Sequence, residues 1–148
     1  LTVPGVPDIY QGDELTALAL VDPDNRRAVD WEARRAALDA LRAGAAPTRE
    51  TMKLHVITRA LDLRARRPEP FAGAYEPIAA GPDVCAFARG DGEVVVVVPL
   101  RGATDGVPLD LPPGRYREVL SSREHDLAGA VAVGRLVEPD GVALLERL

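Results

Sequence analysis

Tyr10-Gln11-Gly12-Asp13-Glu14 and Asp22-Pro23-Asp24-Asn25-Arg26-Arg27, the second closed by Asp30 and Trp31, concentrate one kind of chemistry near the start of the chain. They place aromatic rings, side-chain amides, several carboxylates and paired guanidiniums on two neighbouring connections. Asp, Asn and Arg can hold vicinal hydroxyls through paired hydrogen bonds, and an aromatic ring can cover the flat face of a pyranose. The same groups can also satisfy one another as a salt-bridged loop that holds the start of a helix. The residue types leave both readings open.

Other constellations are weaker. Ser121, Ser122, His125 and Asp126 contain the ingredients of a nucleophilic triad but crowd one short segment, whereas a working triad converges from separate elements. A solvated hairpin loop is the expectation there. His55, His125 and Cys85 are the whole His/Cys inventory and lack ligand spacing, so neither metal nor other cofactor is expected. Gly5 and Gly12 do not make a phosphate loop.

The elements that must position these groups follow from periodicity. Pro4 and Pro7 bar ordinary ladder bonding, which leaves a short strand over Val6–Tyr10. Asp30 is a plausible N-cap for a helix over Trp31–Ala43 with Trp31, Leu38 and Leu41 on one face, stopped by Gly44. Pro47 and Thr48 open a second helix with Glu50 in its first turn and a stripe of Leu54, Ile57, Ala60 and Leu61. Arg64, Arg66 and Arg67 crowd its end before Pro68. Beyond Pro70 strand-length apolar runs alternate with Gly, Pro and Asp: Ala74–Ala79, Val84–Arg89, Glu93–Pro99, Val107–Leu111, Tyr116–Leu120, Val131–Val137 and Val142–Leu148. Gly90-Asp91-Gly92 marks a hairpin. The pattern predicts a helical piece, 1–67, followed by an antiparallel all-β sandwich, 68–148.

Composition bounds the rest. At 47% hydrophobic and 28% charged the chain can build a core, but its 148 residues are too few for a complete (β/α)8 barrel, which needs roughly 200–250. The net charge of −5 argues against nucleic acid or an anionic membrane as partner. One cysteine forms no internal disulfide, and no run approaches a membrane span, so a cytoplasmic location is expected.

At PGVPDIYQGDEL and LVDPDNRRAVDW the sequence resembles the C-terminal portion of maltooligosyl trehalose synthases, in the α-amylase superfamily. The resemblance extends more weakly through Leu61–Ile78, Asp83–Gly90, Leu111–Leu120 and Val142–Leu148. Ala28 stands where the family has proline. The resemblance implies an α+β chain: the end of a (β/α)8 barrel (last strand plus one or two helices), then an antiparallel all-β domain. It implies a family activity in which the reducing-end α-1,4 linkage of a maltooligosaccharide is rearranged to α,α-1,1. The catalytic carboxylates follow earlier barrel strands, upstream of Leu1, so the chain alone is expected to be inactive. Tyr10, Gln11, Glu14, Asp24, Asn25, Arg26 and Arg27 would line the sugar cleft. Its partners would be the substrate and the upstream barrel of the same polypeptide. Val3, Val6 and Ile9, normally covered by barrel strands, would be exposed or drive self-association of the isolated chain. A non-catalytic carbohydrate-binding or interaction module, and part of another superfamily member such as a trehalohydrolase, are the alternatives.

Overall fold

The computed structural model describes residues 1–19, 21–101, 104–138 and 141–148. Its first half is helical. Helix α1 spans Trp31–Arg42 and starts where the Asp30 carboxylate accepts from the Ala33 amide at 2.9 Å, which satisfies one of the free donors of the first turn. Helix α2 spans Met52–Arg66, preceded by a turn in which Met52 N donates to Thr48 O. Leu54, Ala60 and Leu63 are its buried positions, while Leu61, expected in the stripe, is exposed. A third, short helix α3, Pro68–Ala72, starts on the proline expected to end α2, because a proline at the first helical position has no amide to leave unpaired.

No strand forms over Val6–Tyr10 among the described residues. Val3 and Val6 are exposed, as expected of apolar residues with no neighbouring strands, and Ile9 is half-buried. A strand exists only through its partners.

The second half is antiparallel throughout. Strands β1 (Tyr75–Ile78), β2 (Val84–Arg89), β3 (Val94–Pro99), β5 (Gly114–Glu118), β6 (Glu124–Leu127) and β8 (Ala143–Arg147) form one sheet in the order β1-β2-β3-β8-β5-β6. Strands β4 (Pro108–Asp110) and β7 (Ala130–Ala132) form a second. The Val84–Arg89 boundaries match the sequence expectation, and Gly90-Asp91-Gly92 turns β2 into β3. The Val131–Val137 run breaks after Ala132 into a short 3-10 turn over Val133–Arg135. The expected loop around His125 is instead strand β6. Its sequence, EHDL, carries charges because an edge strand is solvated on one face. The two sheets share a core that includes Val95, Val97, Leu109, Tyr116, Leu136 and Leu145.

The chain divides into two compact units: Leu1 with residues 6–61, and residues 2–5 with 62–148. Within the second unit the guanidinium of Arg89 is buried and donates to the carbonyls of Thr2, Phe71, Gly73 and Ala74, so a cation without a carboxylate partner is solvated by peptide dipoles. Arg66 grips the buried Glu146 carboxylate with two hydrogen bonds, and Arg67 bridges Glu146 and Glu93.

Candidate functional site

The Tyr10–Glu14 stretch is a turn closed by Asp13 N donating to Tyr10 O, and Gly12 sits in it at φ +94, a conformation that favours glycine. Glu14 folds back to accept from Gly12 N at 3.0 Å. Arg34, on the first turn of α1, completes the cluster. It donates to Gly12 O at 2.6 Å and Asp30 O at 3.1 Å, and its Nε lies 3.3 Å from Glu14 Oε2. Arg34 belongs to no motif of the sequence, although its spacing from the Asp30 cap puts both on one helix face.

The second stretch closes on itself. Asp24–Arg26 form a single 3-10 turn. Arg26 binds Asp22 with both Nε and Nη2, at 3.0 and 2.7 Å, and Arg27 Nη2 binds Asp24 at 2.6 Å. These guanidiniums are exposed and each is already occupied, so a ligand must compete for them or join them. Asn25 differs: its Oδ1 is buried and, among the described residues, accepts no hydrogen bond.

Of the seven expected residues, the structure thus draws Glu14 into one cluster with Gly12 and Arg34, and Asp24, Asn25, Arg26 and Arg27 into one turn. Among the described residues no hydrogen bond or ion pair joins the two stretches. Tyr10 and Trp31 keep about half their surface exposed, 51% and 50%, so each has a ring face free to cover an apolar surface. Gln11 is exposed.

The Ser121–Asp126 group forms no triad. Ser121 Oγ accepts from Arg123, and among the described residues His125 Nε2 has no hydrogen-bond partner. The two serines occupy the β5–β6 turn while His125 points from the strand. Among the described residues no group of three or more His, Cys, Asp or Glu could hold a metal ion, and no helix is long and apolar enough to cross a membrane.

Residues 78–143 match the family described as alpha amylase, C-terminal all-beta domain. The chain is also 46% identical to proteins from two strains of Mycobacterium tuberculosis that carry the provisional name maltooligosyl trehalose synthase. The match covers 82% of this chain and 16% of each relative. The structure of maltooligosyltrehalose synthase from Arthrobacter ramosus superposes on 99% of the chain with a TM-score of 0.83 at 36% identity. A point mutant of it gives 0.85. The chain is similar to a segment of the maltooligosyl trehalose synthases. It spans about a fifth of the Arthrobacter synthase, 21% of that chain. The maltooligosyl trehalose synthase likeness therefore concerns a segment of those proteins, and the β sheets described above are the part that corresponds to the alpha amylase all-beta domain.

Proposed function

We propose that this chain serves as the C-terminal segment of a cytoplasmic enzyme that rearranges the reducing-end α-1,4 linkage of maltooligosaccharides to α,α-1,1. The observation that carries this reading is the fold match across 99% of the chain to maltooligosyltrehalose synthase. Residues 1–67 would form the end of the catalytic barrel, and residues 68–148 the covering β domain. In retaining chemistry one carboxylate attacks the anomeric carbon while a second gives and then takes a proton. Glu14 is held by Gly12 and Arg34, and Asp22 and Asp24 are tied to arginines, which suits them to shaping a cleft rather than to either role. Those carboxylates would come from the upstream barrel of the same polypeptide.

In this arrangement Tyr10, Gln11, Glu14, Asp24, Asn25, Arg26 and Arg27 help wall the maltooligosaccharide cleft. Asn25 Oδ1, which has no partner among the described residues, would accept from a sugar hydroxyl, while Glu14 and Arg34 keep the preceding turn rigid. The rival reading, a free-standing sugar-binding module, needs aromatic faces on the β domain. Tyr116 is fully buried and Tyr75 packs its ring 4.9 Å from Phe87, which leaves little platform.

The test is an assay on maltooligosaccharides with the 148-residue chain alone and with the same segment carried behind the barrel. The chain alone should form no α,α-1,1-linked product, and the longer protein should form it. Turnover by the chain alone would overturn the reading. In the longer protein Asn25→Ala should raise KM several-fold, the loss of about one hydrogen bond.

A further inference from the structure

Two arginines of the second unit hold the start of the chain. Residues 2–5 belong to no helix or strand, yet they group with residues 62–148, and the boundary with the first unit falls between Gly5 and Val6. An irregular peptide without a ladder of its own stays on a domain only if its polar groups are taken up by other parts of that domain. Two guanidiniums do this. Arg89 Nη1 donates to Thr2 O at 2.7 Å, and Arg64 Nη2 donates to Gly5 O at 2.6 Å.

Both arginines are themselves held in place. Arg89 is 1% exposed, stands on β2, and donates from Nε and Nη2 to the carbonyls of Ala74, Gly73 and Phe71. A planar fork with donors aimed in several directions can grip Thr2 and the 71–74 segment at once, whereas an ammonium is a single point. Arg64, near the end of α2, lies over the ring of the buried Phe71 at 5.2 Å. The arrangement has a cost. Burial first, and then the charge of Arg64, disfavour the charged form of Arg89. An apolar side chain at that position would avoid the penalty, so the pair is accounted for by the peptide it holds.

Four residues, Val6–Ile9, separate this clamp from the Tyr10–Glu14 stretch, and Pro7 stiffens them. Such a connector reaches at most about 14 Å, so an anchored Gly5 restricts where Tyr10 can go. In a reacting site a displacement of about 1 Å can cost on the order of a hundredfold in rate. We propose that Arg89 and Arg64 are positioning residues, which pin Thr2–Gly5 to the β domain and thereby place the Tyr10–Glu14 wall of the maltooligosaccharide cleft. The β domain is then an anchor for the cleft wall as well as a cover. The catalytic consequence rests on the proposed function; the clamp itself does not.

Nitrogen-15 relaxation on the 148-residue chain reads the clamp. The amides of Val3 and Gly5 should have order parameters of about 0.85, as β2 has, and should fall below about 0.6 in Arg64→Met while β2 stays unchanged. Arg64→Lys keeps one donor for the single bond to Gly5 O and should restore them. Arg89→Lys should loosen Val3 as well, because an ammonium cannot span all four carbonyls. Mobile Val3 and Gly5 in the parent, or unchanged order in Arg64→Met, would overturn the clamp. In the same segment carried behind the barrel, Arg64→Met should lower kcat/KM on maltooligosaccharides at least about tenfold with little change in urea midpoint, and Arg64→Lys should recover most of it. Full kcat/KM in Arg64→Met despite lost order would overturn the positioning role. If the longer parent forms no α,α-1,1-linked product, the proposed function fails, and the relaxation result still decides the clamp.

Discussion

Glu146 shows how one side chain can make the β domain sensitive to acid. Its carboxylate is 7% exposed and held by Arg66 and Arg67. The hydrogen bond from Arg66 outweighs the cost of burial and holds the group below the usual glutamate range. A depressed folded value means that the bound proton is the destabilising event. The stabilisation is complete above the unfolded value, about 4.3, and is lost as pH falls through the lower folded value. Glu146→Gln should therefore cost about 1 kcal/mol at neutral pH. In urea titrations the variant and the parent should converge as the pH drops below that range. A constant difference down to strong acid would show that the carboxylate's charge is not what matters.

At the scale of elements, the β2–β3 hairpin makes the sharpest demand on sequence. Gly90 takes φ +58, and a Cβ there would lie 2.6 Å from Pro70 Cα in α3. The turn is thus tight because a helix backbone passes against it, and Gly90→Ala should destabilise by about 1–3 kcal/mol. An unchanged urea midpoint would contradict that close approach. The hairpin was also the part of the fold most readable from sequence, because Val94–Val98 is apolar on both faces and the glycines bracket a turn. Strand β6 was not readable, since EHDL has neither an apolar run nor β-branched residues and is a strand only because β5 pairs with it. The Val6–Tyr10 stretch fails in the opposite sense: apolar residues with nothing to pair against. For the site, the residue types in Tyr10–Glu14 and Asp22–Arg27 were legible. Their division into an Arg34-centred cluster and a self-paired turn depends on where backbone carbonyls point, which composition does not encode.

Across the whole molecule, burial is unevenly shared. In the first unit Gly12, Leu54 and Ala60 are buried, whereas the second holds an apolar core of two sheets. Local opening free energy follows buried apolar contact, so the first unit should open at lower cost. Limited trypsin digestion should cut first among Arg26, Arg27, Arg35, Arg42 and Arg49, and leave a resistant piece containing residues 78–143. Early cleavage at Arg115 or Arg117 would reverse that ranking. The strand order carries a consequence for how the protein is made. Strand β8, the last strand of the sheet in chain order, lies between β3 and β5 in the middle of the sheet. Until it arrives, β1-β2-β3 and β5-β6 are two separate ribbons, each with an open apolar edge where β8 belongs. Synthesis from the N-terminus therefore delivers the centre of the sheet after its flanks, and the nascent sheet is most open to mispairing in the interval just before β8 emerges.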